Sequence, residues 1–143
     1  LIGIAGFGAA AEVVCQSELA EMAILRQWRD DLENTAKKRL PNVKIVGHST
    51  LRLPNTSCLI SPNLDSETQV MAMDLAGIYI SAGAACSSGK VGANPVMAAM
   101  GFSDDQARSV IRVSLGWPSK KSDTEIFLDA WCGLHERTMR QAS

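Results

Sequence analysis

Apolar residues recur at three- and four-residue intervals through Val13, Val14, Cys15, Leu19, Met22, Ala23, Leu25, Trp28 and Leu32, the period of a helix with one packed face. Glu18, Glu21, Arg26, Arg29, Asp30 and Glu33 fall on the complementary face. Residues 2–40 are therefore predicted as one long helix or two in tandem. Lys37, Lys38 and Arg39 suit the negative end of a helix dipole, and Pro41 stops the helix. Gly3, Gly6 and Gly8 do not have the spacing of a dinucleotide-binding loop and follow no strand, so they are read as allowing close helix packing.

Short strands are predicted at residues 43–46, 58–61, 78–80 and 111–115. The last alternates Ile111, Val113 and Leu115 with Arg112 and Ser114. Helices are predicted at 66–76 and at 95–100, where Pro95 takes a favoured first position. Ser103-Asp104-Asp105-Gln106 has capping-box form and opens another short helix. Ser122-Asp123-Thr124-Glu125 opens the terminal one, whose inner face is expected to carry Ile126, Phe127, Ala130, Trp131 and Leu134. The order is mixed α and β, consistent with a single domain over residues 1–143: a long N-terminal helix plus a small sheet covered by helices. Residues 81–94 break every period and form a loop long enough to suggest function.

With 143 residues, 46% hydrophobic and 20% charged, the chain has the composition of a folded protein. Its net charge of −1 excludes a dominant electrostatic grip on nucleic acid or an anionic membrane. No apolar run reaches the length of a spanning helix and no secretory leader is read. The apolar, Ala/Gly-rich start at Leu1 is read as a piece of a longer chain. Four cysteines stand at 15, 58, 86 and 132, without a CxxC or zinc-finger spacing, so no metal site of the chain's own is expected. Cys15, Cys58 and Cys132 are expected as small hydrophobes in packed elements, and a reducing, cytoplasmic compartment is inferred.

Cys86 stands apart. It lies in Ser81-Ala82-Gly83-Ala84-Ala85-Cys86-Ser87-Ser88-Gly89-Lys90, where small neighbours leave the sulfur open and Lys90 favours the thiolate. A Gly/Ser turn with an incidental cysteine is the bland alternative.

This segment, followed by Pro95-Val96-Met97 and Met100-Gly101, resembles the active-site cysteine loop of the cysteine desulfurases of NifS/IscS type. Leu53-Pro54-Asn55-Thr56 before it and Ala107-Arg108-Ser109-Val110-Ile111-Arg112-Val113-Ser114-Leu115-Gly116 after it resemble two further blocks of that family, in the same order and separation. The resemblance implies the small C-terminal domain of a fold-type I transferase dependent on pyridoxal 5'-phosphate, taking sulfur from L-cysteine and leaving L-alanine. Cys86 corresponds to the nucleophile that accepts the sulfur as a persulfide and hands it to an iron–sulfur scaffold or other acceptor, a transient contact with cluster chemistry. Arg112 corresponds to the arginine that pairs with the substrate carboxylate; a planar guanidinium suits a bidentate carboxylate contact. Asn55 is a weaker substrate-site candidate, for which a polar turn residue after proline is the simpler account. Family members are homodimers, and neither nucleic acid nor membrane is an expected partner.

The sequence departs from the family at Ala82 and Ala84, where serines are usual, and at Lys90-Val91-Gly92. None of Lys37, Lys38, Lys44, Lys90, Lys120 and Lys121 follows a histidine, as the family's cofactor lysine does. No cofactor-binding residue is therefore assigned, and this stretch alone is expected to be inactive. Another class V enzyme, such as a selenocysteine lyase or an aminotransferase, and a non-catalytic sulfur-relay module remain as alternatives.

Overall fold

One unbroken helix, α1 (Ile2–Arg39), opens the computed structural model, which describes residues 2–83 and 94–141. Lys37, Lys38 and Arg39 close its last turn as the dipole favours. Leu25, Leu32 and Ala36 are buried in its C-terminal half, whereas Ile2, Ile4, Phe7 and Val13 are exposed. Two expectations fail there. Cys15 is exposed rather than packed. A Cβ at Gly3, Gly6 or Gly8 would meet nothing within 4 Å, so among the described residues these glycines make no close helix contact. The apolar period is present in this half of α1, but a period specifies a face and not a partner for it.

The sheet is antiparallel throughout, in the order β1-β2-β4-β3, with β1 (Lys44–Ile45), β2 (Thr56–Ile60), β3 (Ser81–Ala82) and β4 (Val110–Ser114). Alternation along β2 and β4 divides the apolar residues between two faces. Leu59, Ile111 and Val113 pack against Leu32 and Ala36 of α1, Met73 of α2 (Ser66–Leu75), and Phe127, Leu128 and Trp131 of α5 (Lys121–Gln141). Ile60 and Val110 on the opposite face are covered by Met97 of α3 (Pro95–Ala99), with half-buried Phe102 and Ala107 of α4 (Asp104–Arg108). Pro95 takes the first turn of α3, where Asn94 caps Val96 N and Met97 N. The Ser103–Gln106 capping box on α4 forms in both directions.

Gln69 shows how polar groups enter this core without cost in unmet hydrogen bonds. Fully buried, it donates to the carbonyls of Leu64 (2.7 Å) and Ser109 (3.0 Å) and accepts from Trp131 Nε1 (2.8 Å). It ties α2, the start of β4 and α5 together.

Three local expectations are displaced. Residues 78–80 are not a strand: Ile78 N closes the end of α2 on Met73 O, Tyr79 is exposed, and ladder pairing starts at Ser81. The expected loop thus begins as a strand. Ser122 lies inside α5 rather than capping it, and Asp123 Oδ2 accepts from Lys120 N at 2.8 Å instead. Ile126 is exposed and Leu128 takes the buried position, a rotation of the inner face.

Gly83 follows β3 and donates its N–H to Val110 O at 2.9 Å. A Cβ there would overlap the side chain of Val110, itself 2% exposed. Gly83→Ala is therefore expected to lower stability by about 1–3 kcal/mol through overpacking. A thermal melt reads this as a lower Tm; an unchanged Tm would mean that Val110 gives way freely.

Candidate functional site: an arginine row across the sheet

Arg112 sits at the centre of β4, directly opposite Cys58 on β2 and Ser81 on β3. Residues paired in this way share one face of a sheet, so Cys58, Arg112 and Ser81 form a row on the face away from α1 and α5. To one side of the row lie Ile60 and Val110, roofed by α3 and α4. To the other lie Thr56 and Ser114, whose hydroxyls approach to 3.3 Å. Arg112 is half-buried at the border between the covered apolar half and the open polar half. Among the described residues, no carboxylate or carbonyl occupies its guanidinium.

Burial pushes the Cys58 thiol up from its ordinary value, against the opposing pull of Arg112 and Arg52. The sequence reading of Cys58 as a packed small residue therefore holds only in part: it is half-buried and borders the arginine. Cys132 is fully packed, and burial pushes its thiol up as well.

Asn55 Nδ2 donates to Leu115 O at 2.8 Å, and Leu115 N donates to Asn55 O at 2.8 Å. This reciprocal pair carries the ladder one step beyond β2 and β4, a sheet-end role. Cys86 and Lys90 lie outside the described residues, on the segment between Gly83 and the α3 cap Asn94.

A buried ionic cluster braces the approach to β2. The Glu33 carboxylate accepts two hydrogen bonds from Arg52, each 2.6 Å, and one from Ser57 Oγ at 2.7 Å. That pairing pushes the Arg52 guanidinium up. Arg29 donates to Leu53 O at 2.6 Å and to Asp30 Oδ1. Both Arg29 and Glu33 are 6% exposed, which corrects their assignment to the polar face of α1. On α5, His135 stands edge-on to Trp131 with Nε2 at 2.5 Å from Ser61 Oγ, and burial pushes its imidazole down.

The model of the aminotransferase class-V family matches residues 1–127. The chain belongs to the aminotransferase class-V family. Among the curated members it resembles, a cysteine desulfurase of Cereibacter sphaeroides is 39% identical over 79% of this chain and 28% of its own length. Cysteine desulfurase IscS 1 of Archaeoglobus fulgidus is 31% identical over 94% of this chain and 35% of its own. A solved NifS-like protein from Rickettsia africae superposes with a TM-score of 0.81 at 31% identity, covering 93% of this chain and 34% of that one. The class V chain thus spans about a third of the length of these relatives. The NifS/IscS resemblance of its three sequence blocks and its mixed fold are both borne out.

The described part of this class V chain does not fit a bed for pyridoxal phosphate. Lys37, Lys38 and Lys121 belong to helices packed on the face opposite Arg112, Lys44 to the outer strand and Lys120 to the turn before α5, and all five are exposed. What the residues do fit is a carboxylate, at Arg112. Among the described residues no group of three or more His, Cys, Asp or Glu is placed to hold a metal ion, and no helix is long and apolar enough to cross a membrane.

Proposed function

We propose that this chain supplies the substrate-carboxylate site and the sulfur-accepting thiol of a cysteine desulfurase. The observation that carries the reading is the position of Arg112, unengaged by any described carboxylate, beside Ser81. Ser81 lies on the strand from which the Cys86 segment departs. In the sequence Cys86 follows Gly83 by three residues. Family membership and relatives named cysteine desulfurase support the same reading.

In this reading Arg112 holds the carboxylate of L-cysteine through paired N–H donors, fixing the orientation of the amino acid as well as its charge. The Cys86 thiolate attacks the substrate sulfur. A sulfur–sulfur bond forms, the carbon–sulfur bond breaks, and the carbon takes up a proton; cysteine plus a thiol gives alanine plus a persulfide, with no added oxidant. The persulfide then passes to an acceptor protein for iron–sulfur assembly. Pyridoxal phosphate would be held by residues other than those described. We place the protein in the cytoplasm as a homodimer.

The test is formation of L-alanine from L-cysteine by the full-length protein. The chain of residues 1–143 alone is expected to show neither Schiff-base absorbance with pyridoxal phosphate nor alanine formation. Stoichiometric, lysine-dependent cofactor binding with turnover by that chain would overturn this account.

A further inference from the structure

We propose that the cleft between α1 and residues 47–52 docks an acidic, partly apolar segment of a partner protein, independently of the reaction assigned to Arg112. The cleft, of about 410 Å³, is lined by Arg26, Arg29, Lys37 and Arg52 against Asp30 and Glu33, an excess of two positive charges in a chain whose net charge is −1. Both carboxylates are already engaged, Asp30 by Arg29 and Glu33 by Arg52 and Ser57. Arg26 and Lys37, exposed at the two ends of the cleft, have no partner among the described residues.

Their separation indicates the size of the ligand. Eleven residues of helix place the two cations about 16 Å apart along the axis. No phosphate or single carboxylate bridges that distance. An extended peptide covers it in about five residues.

A second observation points to a protein partner rather than a free anion. Leu51 lines the cleft with a relative exposure of 101%, and the neighbouring Leu53 is 69% exposed. These leucines are presented on backbone that the protein holds in place. Arg29 grips the Leu53 carbonyl and Arg52 is forked onto Glu33. Apolar side chains held outward beside a cationic cleft suit a segment alternating acidic and apolar residues.

The experiment is fluorescence anisotropy on the full-length protein with a labelled octapeptide of alternating Glu and Leu. The Gln-for-Glu peptide is expected to bind at least tenfold more weakly. The double variant Arg26→Glu/Lys37→Glu should lose at least tenfold in affinity and Leu51→Ser a few-fold. Charge reversals away from the cleft, at Lys44 and Arg140, should stay within twofold. The proposal is overturned if the acidic peptide does not bind at millimolar concentration, or if the control reversals weaken it equally. It is also overturned if inorganic phosphate or a single-stranded RNA competes at lower concentration than the unlabelled peptide.

Discussion

Replacing Cys86 with serine in the full-length protein is expected to abolish sulfur loading from L-cysteine altogether while leaving cofactor absorbance intact. A serine hydroxyl is close to the thiol in size, yet it has no sulfur with which to form a sulfur–sulfur bond. Mass spectrometry after incubation with L-cysteine should find one added sulfur on the peptide containing Cys86, and none in the variant. Rates of alkylation are a poorer guide than the sequence pattern implies. Cys15 is exposed and competes for reagent, whereas Cys58 and Cys132 are held back by burial. Locating the persulfide by mass removes that ambiguity. If the extra sulfur sits on Cys15, Cys58 or Cys132, or persists in Cys86→Ser, the assignment of the nucleophile is wrong.

Arg112→Lys should weaken use of L-cysteine by a factor of roughly 30 to 150, equivalent to about 2–3 kcal/mol for a lost bidentate charged contact. Lysine keeps the charge but offers a single point donor in place of a planar fork. Because no described carboxylate depends on Arg112, the substitution orphans no buried anion. Stability should therefore change by no more than about 0.5 kcal/mol. This separation makes the experiment decisive: a large rise in KM with an unchanged Tm supports a carboxylate site. Unchanged kinetics would remove Arg112 from it, and a large fall in Tm would make it a structural residue.

The sequence was most informative where one face of an element is buried and the other is not. The alternation of Ile111 and Val113 with Arg112 places the arginine on the correct face of β4 because the period of a strand leaves no other choice. Pro95, through its fixed backbone angle, and Ser103 with Gln106, through hydrogen bonds made within a few residues, mark helix starts, so no distant information is needed. The Asn94 cap on the first of them reads in the sequence only as the end of a loop. Features that depend on a partner far along the chain were less visible. Arg29 and Glu33 looked solvent-facing because they are charged, although their spacing from Leu25, Leu32 and Ala36 puts them on the packed face. That helical spacing was the available signal. Their burial is tolerated only because Arg52, Ser57 and the Leu53 carbonyl come to meet them. The neighbourhood of Cys58 and Arg112 follows from strand register, which neither residue's local context specifies. Tyr79 belongs to a run with strand-like residues, but the closing turn of α2 holds it outside the ladder.

Among the described residues both margins of the sheet are minimal, with β1 spanning Lys44–Ile45 and β3 Ser81–Ala82. So short a rim gives an incoming backbone almost nothing to template on, which protects the protein from fibril-like stacking. It also offers little edge, among these residues, for a ligand to join as an extra strand. Recognition on this part of the sheet then falls to side chains, which single substitutions can retune without disturbing the ladder beneath.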